Sequence, residues 1–221
     1  MTVFLIATKI FFRELRSGQI LLMFLSLSLA VGIVASITFF TDRLDSSLMM
    51  ESKQFLGGDF KYESSTPLDE SSFPIEDYSY AVIYEFGSVL GSTKKFQLAS
   101  VKSVSSPYPL IGEIEILKAN NEKVVRANPP KAGKVWLDSR LADLLEVDVG
   151  QKINIGEIYL LVSGIILSES DRGAGSFAFA PKAIMNSSDL DEANIIQPGS
   201  RVRYSYVFVG SQEAIKLLEN F

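Results

Sequence analysis

The sequence predicts an α+β fold: an N-terminal transmembrane helix extended into a strand-rich extracytoplasmic domain. Three observations carry this. Ile20 to Phe40 is an uninterrupted stretch without an ionisable group. After Gly58 the pattern changes to short segments of alternating polarity, rich in β-branched and aromatic residues. Two short amphipathic segments, 137–147 and 211–221, have helical rather than strand periodicity.

At about 1.5 Å per residue, the first stretch spans roughly 30 Å, the thickness of a bilayer's hydrocarbon core. A cleaved signal has a shorter core followed by small residues at the cleavage site. Here Ala30, Gly32, Ala35 and Ser36 lie inside the apolar run, so a permanent span is expected. Lys9, Arg13 and Arg16 precede it and set its topology: positive flanks stay in the cytoplasm. The expected domains are therefore a basic cytoplasmic segment (1–19), a membrane helix (20–40) and an outer domain (41–221).

The three basic residues, spaced by four and three, share one helical face. Phe4, Ile6, Ile10, Phe11, Phe12 and Leu15 cover much of the rest. The segment therefore suits either a helix lying on the membrane surface or a plain topogenic flank. Inside the span, Ser28, Gly32 and Ser36 recur every four residues, a spacing that lets another helix approach closely. Beyond it, Leu44, Leu48 and Phe55, with Met49 and Leu56 beside them, continue the helical pattern until Gly57-Gly58. One helix from about Ile20 to Leu56 is expected.

In the outer domain, strands are expected at 59–64, 78–86, 95–104, 113–118, 175–181 and 201–210, and a loop at 128–135. A short helix over 137–147 would be capped by Ser139 and bury Leu141, Leu144 and Leu145. A hairpin over 148–166 would turn at Gly156-Glu157. The last helix would bury Ala214, Ile215, Leu217 and Leu218.

Composition excludes a good deal of chemistry. With neither cysteine nor histidine among the 221 residues, there is no disulfide, thiolate nucleophile, Cys/His zinc site or Ser-His-Asp triad. Residues 1–19 carry a net +2, leaving −7 elsewhere to reach the overall −5. An acidic body does not suit a nucleic acid. Ser92-x-x-Lys95 has the spacing of a serine nucleophile with a lysine base, but it lies between two strands where Lys95 should be solvated; a turn is expected. Asp189, Asp191 and Glu192 read as a solvated acidic turn, as do Asp69-Glu70 and Glu113/Glu115. No cofactor, metal or catalytic residue is expected. Residues 168–181, small and flanked by charges, suit an exposed segment that is either a partner contact or a connection.

The stretch "VWLDSRLADLLEVDVGQKINIGEIYLLVSGII" and "FLGGDF" after the long first helix resemble the outer domains of bacterial ABC-transporter permeases of the MacB/FtsX type. "FAPKAIMNSSDLDEANIIQPGSRVRYSYVFVG" resembles the YbbP branch of that family. The likeness runs from Arg13 to the end. It implies a MacB-like periplasmic core domain, with 41–105 and 196–221 as a porter-like part and 106–195 as an insertion. It further implies an inner-membrane permease that is not itself an enzyme. Such a permease works with a cytoplasmic YbbA-like ATPase, handles hydrophobic or lipid-like molecules, and has a lysophospholipase/thioesterase partner. Because such permeases have further spans, the chain is expected to be the N-terminal part of one. The alternative is a complete single-span anchored binding or adaptor protein.

Overall fold

The computed structural model describes residues 18–69, 73, 78–125, 128–171, 179–197 and 199–219, together with Ile6, Ile10 and Arg13. The chain divides into two compact units, Met1–Met50 and Glu51–Phe221.

Helix α1 is Gln19–Leu56, 38 residues without a break, or roughly 57 Å at the standard rise. Its mean hydropathy reaches 2.6 over its most apolar window, and no residue of that window is buried by protein. Hydroxyl side chains along it are satisfied internally: Ser36 donates to the Gly32 carbonyl at 2.7 Å, and Thr38 to that of Val34 at 3.0 Å. A polar side chain bonded to the preceding turn lowers the cost of placing it in lipid. The helix stops where expected. Gly57 takes φ +76, and Gly57 and Gly58 donate to the carbonyls of Gln54 and Lys53. These bonds satisfy end carbonyls that a side chain with a Cβ would leave open.

The second unit is built on one sheet. Its strands are β1 Phe60–Ser64, β2 Tyr78–Gly91, β3 Phe96–Val104, β4 Ile114–Leu117, β5 Lys123–Val124, β6 Lys134–Asp138, β7 Lys152–Ile155, β8 Ile158–Glu169, β9 Lys182–Asn186 and β10 Val202–Gly210. They are ordered β1-β10-β2-β3-β9-β6-β8-β4-β5, with β7 bridging β2 and β8. Most pairs are antiparallel; β3/β9 and β6/β8 are parallel. The sheet thus runs continuously through 106–195 and the residues on either side of it.

Alternation along the strands gives the sheet two cores. Val82, Phe86 and Leu90 of β2 join Leu137, Ile153 and Tyr206 on one face. Ala81 and Ile83 join Trp136, Ile166 and Val207 on the other. Helix α2 (Ser139–Leu145) covers the first face with Leu141, Ala142 and Leu145. A short helix α3 (Leu190–Ala193) follows a 3-10 turn at Ser187–Asp189, and α4 is Gln212–Glu219.

Several expectations need correction. The cap of α2 is Asp138, whose carboxylate accepts from Leu141 N–H at 2.6 Å, not Ser139. Leu144 is 38% exposed, because the buried side is 141, 142 and 145, one step round the helix. Leu217 is 57% exposed, while Ala214 and Leu218 are buried. Of the strand expected at 175–181, residues 175–178 lie outside the described residues and 179–181 are not strand. The strand is β9, one step later. Its Ala183, Ile184 and Met185 are all buried, so no alternation marks it.

Asp138 also ties α2 to β9, accepting from Lys182 N–H at 3.0 Å through its second oxygen. Replacing it by alanine removes a helix cap and a strand anchor together. Asp138→Ala should cost about 1–2 kcal/mol in denaturant unfolding of the full chain, with Asp138→Asn recovering most of it.

Candidate functional site

The Ser92/Lys95 pair is a turn, as expected. Ser92 Oγ donates to the Leu145 carbonyl at 2.8 Å and accepts from the N–H groups of Lys94 and Lys95. Lys95 is half exposed and its ammonium pairs with Glu146 at 2.7 Å. Asp189 departs from the solvated acidic turn expected of it. It is buried, accepts from Gly133 N–H at 3.0 Å, and burial raises its carboxyl above the usual range. Asp191 and Glu192 are exposed. Among the described residues, no group of three or more acidic side chains is placed to hold a metal ion.

The chemistry of the second unit is concentrated elsewhere, at a cation inside the sheet. Lys102 lies in β3, where every residue from Ala99 to Val104 is buried. A strand flanked by β2 and β9, and covered on both faces, leaves a lysine no route to water. Its Nζ reaches Glu169 Oε1 at 2.6 Å, Tyr108 Oη at 2.6 Å, Asp171 Oδ2 at 3.0 Å and the Asp171 carbonyl at 3.1 Å. The other oxygen of Glu169 accepts from Lys182 at 2.8 Å. Lys102, Glu169 and Asp171 are each 6% exposed or less.

Lys102 and Lys182 thus face Glu169 and Asp171. Burial by itself would drive the Lys102 ammonium down, but Glu169, Tyr108 and Asp171 outweigh it and hold it well above the ordinary lysine value. Burial would likewise raise Glu169, but Lys102 and Lys182 hold it below the ordinary carboxylate value. Tyr108 is pushed well up by burial and stays a phenol. Lys102 and Glu169 are thus held in their charged forms and Tyr108 in its neutral one, which suits a structural joint and not acid–base catalysis.

Sequence reasoning did not find this cluster. Residues 168–181 read as an exposed segment flanked by charges, yet Glu169 and Asp171 are buried; residues 172–178 lie outside the described residues. One signal was present: a lysine at the centre of the apolar strand "LASVKSV". Beside the cluster, a cavity of about 250 Å³ is lined by Asp138, Arg140, Ile166, Glu169 and Lys182, among others.

The last turn of α1 belongs to this unit and docks beside the cluster. Ile111 N–H donates to the Gly57 carbonyl at 3.0 Å. Lys53 pairs with Asp59 at 2.8 Å. Gly58 lies against Val207 and the Phe208 carbonyl so closely that a Cβ there would overlap both.

Of the residues expected to set topology, Lys9 and Arg16 lie outside the described residues, and Arg13 is exposed. Ser28, Gly32 and Ser36 are all exposed along α1.

No family model matches the chain. It is 33% identical over 214 residues to an uncharacterized ABC transporter permease, YbbP, of Escherichia coli K12. The match covers 93% of this chain and 25% of that permease, so the chain spans about a quarter of the relative's length. Among solved structures, the extracellular domain of the noncanonic ABC-type transporter YknZ from Gram-positive bacteria is similar at 9% identity and TM-score 0.40, covering 61% of this chain and 67% of that one. The periplasmic region of MacB from Actinobacillus actinomycetemcomitans is similar at 14% identity and TM-score 0.43, covering 64% and 66%. Over nearly its whole length the chain is thus similar to part of an ABC transporter permease of the YbbP type.

Proposed function

We propose that the chain forms part of the permease subunit of an ABC transporter in the bacterial inner membrane. Residues 1–19 lie in the cytoplasm, 20–40 cross the bilayer, and 41–221 face the periplasm; the basic residues Lys9, Arg13 and Arg16 before the span favour this orientation. A cytoplasmic ATPase of the YbbA kind supplies the energy, and the permease passes its motion to the outer domain. The molecules handled are hydrophobic or lipid-like, and a lysophospholipase/thioesterase acts alongside. Ser28, Gly32 and Ser36 form the face on which another membrane helix packs.

One observation carries the mechanical part. Helix α1 is unbroken from Gln19 to Leu56, and its last turn docks on the sheet. A continuous helix is the kind of connection that can pass a displacement on, whereas a flexible linker absorbs it.

The test uses the complete permease with its ATPase in nanodiscs. This segment has no cysteine, so a label at exposed Lys118→Cys marks the outer domain without competition here. ATP should shift the label's distance to a second label on the ATPase. Inserting four glycines after Asp45 should leave ATP hydrolysis in place and abolish that shift. A shift that survives the insertion would refute transmission through α1.

A further inference from the structure

The buried Lys102 cluster and the docked end of α1 are two sides of one piece of structure. The acceptors of Lys102 come from the segment after β3, through Tyr108, and from the end of β8, through Glu169 and Asp171. These two segments are joined to each other. Ser170 N–H donates to the Glu113 carbonyl at 3.2 Å, and Glu113 N–H donates to Ser170 Oγ at 3.1 Å.

Their outer side meets the helix end. Ile111 N–H donates to the Gly57 carbonyl, and Gly112 lies between Ser170 and the Gln54 carbonyl, 3.0 and 3.6 Å from where its Cβ would be. The Asp171 carboxylate lies 3.6 Å from the corresponding point on Gly57. Glycine at 57 and at 112 is what allows the backbones to come this close: both have positive φ, and a side chain at 112 would press on Ser170.

We propose that Lys102 is the pin of a two-segment strap, Tyr108–Glu113 and Glu169–Asp171, which clamps the last turn of α1 onto the sheet and frees it as a unit when the pin is lost. The sheet does not need the pin for its own ladder, since β3 pairs along its length with β2 and over Ser100–Val104 with β9. What the ammonium adds is a tie between the sheet and two connecting segments that have few ladder bonds of their own. The strap is a property of this unit and stands whether or not the chain works in a transporter.

The charges allow a clean test. Lys102→Met with Asp171→Asn removes one cation and one anion together, leaving Lys182 paired with Glu169. Backbone amide exchange is then followed in the full chain in nanodiscs at neutral pH. In the double variant, the Ile111, Gly57 and Gly58 amides should exchange at least tenfold faster than in the parent, while those of β2 and β3 keep their protection. Tyr108→Phe, which deletes one oxygen and no charge, should accelerate Ile111 about threefold. Unchanged exchange at Ile111 and Gly57 would overturn the strap, and so would an equal rise across the whole sheet. If the double variant does not fold, Tyr108→Phe decides alone: faster Ile111 exchange with a protected sheet supports the strap, and no change refutes it.

Discussion

Gly58→Ala should destabilise the full chain by about 3 kcal/mol, at the upper end of what a single inserted methyl does in a packed site. The cause is backbone, not side-chain, crowding. The new Cβ would overlap Val207 Cγ1 and lie 2.7 Å from the Phe208 carbonyl oxygen. Val207 could rotate, but the carbonyl belongs to β10 in the middle of the β1/β10/β2 pairing and cannot withdraw without breaking ladder bonds. Gly133→Ala is the control. That glycine has φ +76 and open space around it, so it should lose only about 1 kcal/mol from backbone strain. Denaturant unfolding in detergent micelles measures both. Equal losses would mean that the contact at Gly58 relaxes freely, and the docking described above would be wrong in detail.

Lys102→Met should cost about 3–5 kcal/mol at neutral pH, the usual result of removing one partner from a buried ionic set. The methionine fills the lysine's volume, but Asp171 and Glu169 stay buried without the Lys102 ammonium. The pH dependence has a defined sign. Glu169 is held below its ordinary value, so its contribution is present above the unfolded carboxylate range, about 4.3, and is lost as pH falls through the folded value. Lys102 is held above its ordinary value, so its contribution is complete below about 10.4 and is lost only as pH rises through the folded value. The parent chain should therefore be stable across neutral pH and weaken in acid. The variant, already deprived of the favourable partner, should show a shallower acid slope. Identical slopes in the two proteins would show that Glu169 does not owe its low value to Lys102.

Much of the architecture was legible in the sequence because it depends on near neighbours. The apolar run, the stop at Gly57-Gly58, the hairpin turning at Gly156-Glu157 and the strand at 201–210 all follow from periodicity and turn chemistry within a few residues. The errors arise where that local signal is silent. β9 is buried on both faces and shows no alternation. The cap of α2 moved one residue because Asp138 could serve the helix and β9 at once, and only the fold brings β9 there. Leu144 and Leu217 face outward because the buried arc of each helix is set by what packs against it.

The sequence by itself determined the long membrane helix, the strand-rich body behind it, and the absence of cysteine and histidine chemistry, since each rests on composition or on contacts a few residues apart. Only the tertiary structure decided where the charges of the body go. Lys102 meets Glu169 and Asp171 across separations of 67 and 69 residues; the apolar strand around Lys102 hints at burial, but nothing in the local pattern of the segment carrying Glu169 and Asp171 distinguishes a solvated charge from a buried one. Pairing at that distance is settled by the fold, which brings the segment at the end of β8 to the Lys102 ammonium on β3.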